Sequence, residues 1–83
     1  MSEYKGRVDI REIMPHQDKY PTVQRTFESL KVGEKMELLN DHDFKPIFTY
    51  KFPEDFPNKY EWNYLEQGPD VWRVEVIKIK GNI

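Results

Sequence analysis

The sequence predicts an α/β (α+β) two-layer sandwich, built in the order β-α-β-α-β-β, with a four-stranded mixed sheet and two helices on one of its faces. Three observations carry this reading. Apolar residues alternate with polar ones near the start and, most clearly, through the last third. Two intervening stretches place apolar residues at helical spacing, and Gly or Pro punctuates the joins. A chain of 83 residues has room for one core, so 1–83 reads as a single domain. The core is expected over about 8–79, after a flexible N-terminus over 1–6.

Each element follows from its local pattern. The first strand runs from Arg7 to Ile13, where Val8 and Ile10 alternate with Asp9 and Arg11. Pro15 ends it and opens the polar loop His16-Gln17-Asp18-Lys19. Tyr20, Val23, Phe27 and Leu30 then form a single helical stripe. Asp18 or Lys19 lies near that helix's start, and Pro21 falls in its first turn, where proline is tolerated. Gly33 closes it, as a left-handed residue satisfying the last carbonyls. Met36 to Leu39 reads as a short buried strand that runs into Asn40-Asp41-His42-Asp43. Asp43 suits the N-cap of a second helix, whose apolar face is Ile47, Phe48 and Phe52. Pro46 stands in its first turn, and Pro53 is expected to stop it. Asp55-Phe56-Pro57-Asn58 is a turn with Phe56 tucked beneath it.

The last third is a β-hairpin. Tyr60, Trp62 and Tyr64 alternate with Glu61 and Asn63; beyond Gly68-Pro69, Trp72, Val74 and Val76 alternate with Arg73 and Glu75. Keeping every apolar residue on one face predicts Tyr64 opposite Trp72, Trp62 opposite Val74 and Glu66 opposite Asp70. Ile77 and Ile79 fall on the other face, so the strand's end is either buried on both sides or bulged. Lys78-Ile79-Lys80 reads as a solvated strand edge that discourages edge pairing.

Composition excludes several function classes. There is no cysteine, which removes disulfides, thiolate chemistry and Cys-bound zinc or iron–sulfur centres. That absence, with an N-terminus lacking an apolar run, points to a cytoplasmic protein. No stretch approaches the roughly 20 apolar residues that cross a bilayer. Thirteen basic against fifteen acidic residues, without runs of either sign, argue against nucleic acid as a partner. Ser2 and Ser29 lack a nucleophile-elbow context, and the four glycines are too scattered to cradle a phosphate. No catalytic set is recognisable, and no cofactor is indicated. Trp62 and Trp72 read as core aromatics rather than a stacking platform.

One region could hold chemistry. With the first two strands parallel, the loops Met14–Lys19 and Asn40–Asp43 share the sheet's carboxyl edge, and both helix N-termini point towards it. The candidate ligand-binding edge is Arg11, His16, Asp41, His42 and Asp43. A metal or anion site built from His16, His42 and a carboxylate is one reading, with His42 the best single metal candidate although no metal site is assigned. A capping turn made by Asp41-His42-Asp43 is the other, and residue types favour it. The uncovered sheet face, with Glu61, Asn63, Arg73 and Glu75, is a second candidate surface for a protein partner or self-association.

These residues also carry a resemblance. Asp9-Ile10-Arg11, Pro15, Leu30, Gly33-Glu34 and Asn40-Asp41-His42-Asp43-x-x-Pro46 resemble domain-of-unknown-function family 2249, as does Tyr60-Glu61-Trp62-Asn63-Tyr64, Gly68-Pro69, Val71-Trp72-Arg73-Val74. The match spans about Val8 to Ile79. That family is similar to the TusA/SirA sulfur-carrier fold, which implies the same two-layer sandwich, and its members stand alone or beside hemerythrin-like and redox-related domains. Sulfur carriers place a Cys-Pro pair where this chain has Met14-Pro15, and a thioether cannot hold a persulfide. Family members often carry Arg-His where this chain has Lys19-Tyr20, while His42 matches the family pattern. The expected function is a non-enzymatic binding or accessory domain that engages a small ligand, metal centre or protein partner. The alternatives are a metal-dependent or redox-related accessory protein using His42, and a sulfur-carrier relative that kept only a partner-docking surface.

Overall fold

The computed structural model describes residues 4–81. Four strands, β1 (Gly6–Asp9), β2 (Lys35–Asn40), β3 (Tyr60–Gln67) and β4 (Trp72–Lys78), form one sheet in the order β1-β2-β4-β3. β1 and β2 are parallel, and β4 runs antiparallel to both β2 and β3. Helix α1 (Lys19–Glu28) makes the parallel crossover. Between β2 and β3, a π-helical segment (Ile47–Lys51) passes directly into α2 (Phe52–Asp55). The result is the predicted α+β architecture with a mixed four-stranded sheet.

Alternation decides which sheet face meets the helices. Val8, Met36, Leu38, Val74 and Val76 are buried on one face and join Val23 and Phe27 of α1 and Phe48 and Phe52 of the second helical segment. Tyr60, Trp62 and Tyr64 pack against the same cluster from β3. Aromatic rings fill most of the space: Phe27 meets Phe52 edge-on at 5.3 Å, and Phe48 stacks on Trp62 at 4.3 Å. Each fully buried ring contributes about 1.5–3 kcal/mol, so a few residues stabilise a small core. The opposite face carries an ion-pair lattice. Glu37 accepts from Arg7 at 3.0 Å and from Arg73 at 2.7 Å, and Arg73 also reaches Glu66 at 3.0 Å.

Several details differ from the sequence reading, among them the end of α1, which comes at Glu28 with Ser29 rather than Gly33 as its cap. The first strand ends at Asp9 rather than Ile13. The Asp9 carboxylate accepts from the Arg11 backbone N–H at 3.2 Å and from its guanidinium at 2.8 and 2.7 Å, folding Ile10–Glu12 into a 3-10 turn. The hairpin is shifted by two residues from the expected register, pairing Trp62 with Val76, Tyr64 with Val74 and Glu66 with Arg73. A bulge between Tyr64 and Glu66 absorbs Leu65, and the loop closes through the Gly68 N–H to Val71 O at 2.9 Å. A two-residue shift leaves every side chain on the same face, so the alternation is satisfied either way.

Pro53 does not stop the second helix. It occupies the first turn of α2, where no intrahelical N–H is needed, because the preceding turn is wound as a π-helix closed by the Phe52 N–H on Ile47 O. Lys78 is not a solvated edge residue. β4 is an interior strand, and the Lys78 ammonium is buried on the core face against α1. Of residues 1–6, 1–3 lie outside the described residues. The Lys5 N–H donates to Lys35 O at 2.8 Å, and Gly6 opens β1, so the chain is tied to the sheet from there.

Candidate functional site

The parallel pairing of β1 and β2 sets both carboxyl ends on one edge, and a cavity of about 260 Å³ opens there. Four segments line it. The 3-10 turn after β1 turns Ile10 inward, where it is 3 % exposed. A second 3-10 turn, His16–Asp18, leads into α1 and supplies His16 and Gln17. α1 itself supplies Lys19, Tyr20 and Val23, one helical face seen from its first turn. Asn40 closes β2, and Ile47 and Lys51 come from the π-helical segment, four residues apart and therefore on one side.

These residues divide the cavity into two kinds of wall. Ile10, Val23, Ile47 and the Tyr20 ring make it apolar in its depth. His16, Gln17, Lys19, Asn40 and Lys51 carry its polar groups, and no carboxylate lines it. Neither Lys19 nor Lys51 forms an ion pair among the described residues. The Lys51 ammonium sits 4.9 Å from the Tyr20 ring centroid. Asn40 uses its Oδ1 to accept from the Asp41 N–H at 2.8 Å, which leaves its side-chain NH₂ as a donor at the rim.

Tyr20 is fixed from outside the cavity. Its hydroxyl donates to Asp55 Oδ2 at 2.7 Å, and the same oxygen accepts from Gln24 Nε2 at 2.9 Å. Burial, then the hydrogen bond to Asp55, pushes the phenol far above its ordinary value. Tyr20 therefore stays neutral and offers the cavity its ring rather than its proton.

The residues singled out from sequence are only partly brought together. His16 reaches the cavity. Arg11 turns back to Asp9, and its charge is held mainly by that hydrogen-bonded pair, with Asp41 adding a smaller field. His42 is 80 % exposed in its side chain and meets Asp41 at 3.3 Å. Asp43 accepts from the Lys45 N–H at 3.0 Å and from the Tyr64 hydroxyl at 2.5 Å, which employs it in shaping the turn and tethering β3. Among the described residues no group of three or more His, Cys, Asp or Glu side chains is placed to hold a metal ion, and no helix is long and apolar enough to cross a membrane.

The N-terminus of α1 is also less open to an anion than its position suggests. The Asp18 N–H donates to Pro15 O at 3.0 Å, the Lys19 N–H donates to His16 O, and Pro21 has no N–H. Positive charge at this edge comes from side chains. Lys19, Asn40 and Lys51 went unread in the sequence because a lone Lys or Asn has no pattern. The available signals were the position of Lys19 at the start of α1 and the four-residue spacing of Ile47 and Lys51.

Of the second candidate surface, the open sheet face, Asn63, Arg73 and Glu75 are engaged internally and Glu61 is exposed. Arg73 is shared between Glu37 and Glu66, and Asn63 donates to Glu75 at 3.3 Å. Trp62 and Trp72 pack against the core cluster, with Trp62 stacked on Phe48. A family described as "Uncharacterized conserved protein (DUF2249)" matches residues 7–78. No curated protein and no solved structure matches the chain.

Proposed function

We propose a function on the premise that this chain belongs to the DUF2249 family, whose description names no activity. It is a small-molecule binding domain that holds a compact anionic ligand without converting it. The observation that carries this reading is the cavity at the carboxyl edge of β1 and β2, where two lysines meet no carboxylate in a chain that contains fifteen. A cleft of one sign in a low-dielectric wall attracts the opposite charge. Binding without turnover is supported by the contents of the wall. It has no thiol or hydroxyl nucleophile, and its one phenol proton is committed to Asp55.

The likeness to the TusA/SirA sulfur-carrier fold belongs to the same proposal. It is supported by the β-α-β-α-β-β order and by the position of Met14-Pro15, which directly precedes the cavity residue His16. On that reading the chain is a relative whose scaffold binds and presents a ligand rather than sulfur.

The test is a nuclear magnetic resonance titration of the whole chain with inorganic phosphate, isovalerate and benzoate. At least one should shift the amides of His16, Lys19, Asn40 and Lys51, and the Lys19→Glu/Lys51→Glu double variant should lose the response. A response centred on Arg7 and Arg73, or none with any of the three, would remove the cavity as the site.

A further inference from the structure

Resting on that reading of the cavity, we infer that its ligand class is a compact monocarboxylate with an apolar body, bound by Lys19 and Lys51 through its charge and by Ile47 and the Tyr20 ring through its hydrocarbon. Size is the first constraint. About 260 Å³ lies just under the roughly 300–1,000 Å³ of pockets for drug-sized ligands, so a nucleotide or other large anion does not fit inside.

The donor set is the second constraint. A phosphoryl group carries more charge and three terminal oxygens, and phosphate sites usually meet them with free backbone N–H groups at a helix start or with an arginine fork. Here the Asp18 and Lys19 N–H groups are spent on Pro15 O and His16 O, Pro21 has none, and no arginine lines the cavity. Two flexible ammonium groups match a single carboxylate, each as a point charge. The walls are the third constraint. The interior is apolar, so a bare inorganic ion would leave most of it without a partner, whereas a branched or aromatic body would cover it. Lys51 over the Tyr20 ring places charge beside that apolar surface, as an amphiphilic anion requires.

Isothermal calorimetry on the whole chain compares benzoate and isovalerate with inorganic phosphate, phenyl phosphate and the neutral analogue benzyl alcohol. A carboxylate should bind at least tenfold more tightly than benzyl alcohol and than either phosphate. Lys51→Met, at an exposed position where folding is not at stake, should weaken it at least tenfold, and Lys19→Met should act in the same direction. Phenyl phosphate or phosphate binding as tightly as the carboxylates would overturn the ligand class and leave the anion site standing. Benzyl alcohol binding equally well would overturn both, because charge would then play no part. No binding by any probe, with the fold intact by amide spectra, would also overturn both.

Discussion

Lys78→Met is the substitution whose outcome the structure defines best. Lys78 is 2 % exposed, and its ammonium donates to Leu30 O at 2.9 Å, Glu28 O at 3.3 Å and Phe27 O at 3.4 Å. These carbonyls end α1 and the turn after it, where the next helical N–H groups are missing. Methionine keeps the length and apolar stem but removes the donors and the charge. Phe27 O retains the Leu30 N–H at 3.1 Å, so the loss falls mainly on Leu30 and Glu28. A short hydrogen bond from a charged group contributes about 1.5–3 kcal/mol, and a cation at a helix C-terminus about 0.3–1 kcal/mol more. Relief of ammonium desolvation opposes these terms, although the carbonyls already offset much of it. A net destabilisation of about 2 kcal/mol is expected, or roughly 8–16 °C in Tm for a domain of this size. Urea unfolding followed by tryptophan fluorescence measures it, with an unchanged m-value. Lys80→Met, at an exposed neighbour, should stay within about 0.5 kcal/mol of the parent. A Lys78→Met protein as stable as the parent would mean that desolvation outweighs the carbonyl partners, and the helix-capping role would fall.

Two further outcomes follow from local geometry and titration. Gly68 has φ 62, and a Cβ there would lie 2.8 Å from the Trp72 indole, whereas Gly33 has φ 92 in open space. Gly68→Ala should therefore cost roughly 2–4 kcal/mol and Gly33→Ala roughly 1 kcal/mol in the same unfolding assay, since only Gly68 adds a clash to left-handed strain. Equal losses would show that the indole moves aside freely. Burial and then the Asp43 hydrogen bond push Tyr64 up to about 12. A raised folded pKa means a contribution that is complete below about pH 10 and lost as pH climbs through about 12. Tyr64→Phe should shrink the alkaline loss of stability across that window, and a late phenolate absorbance step should disappear with it. An unchanged alkaline profile would separate Tyr64 from that loss.

Element types were legible because they depend on neighbours in sequence. Alternation through β3 and β4 and the Tyr20-Val23-Phe27 stripe of α1 are local patterns, and each became the expected element. Features decided by distant partners were not legible. Lys78 finds its carbonyls 48 to 51 residues away, so beside Ile79 and Lys80 it looked like an ordinary solvated cation. The hairpin register has a different cause. Shifts of two residues keep the same faces, and the choice was made by the Gly68–Val71 closure and the Leu65 bulge. Pro53 misled because proline's effect depends on how the preceding turn is wound, and Ile47–Lys51 is wound as a π-helix.

The edge that holds the cavity was legible for a topological reason: parallel β1 and β2 must end together, so the loops following them are neighbours. Which side chains fill it was not. Histidines and carboxylates drew attention because their chemistry is versatile, yet Asp9 holds Arg11, Asp43 holds Lys45 and Tyr64, and the exposed Asp41 carboxylate meets the exposed His42. Asp9 and Asp43 are accounted for by folding. Lys19 and Lys51 are not. An exposed lysine gains little from an ion pair, so what sets these two apart is that both line one cavity that no carboxylate lines. Within the fold Lys51 has the Tyr20 ring as its neighbour at 4.9 Å, and a cavity whose charged groups are all of one sign attracts the opposite charge. On the proposed reading, a ligand that brings its own negative charge would supply the missing half of the interaction, and its apolar body would lie against Ile47 and the Tyr20 ring.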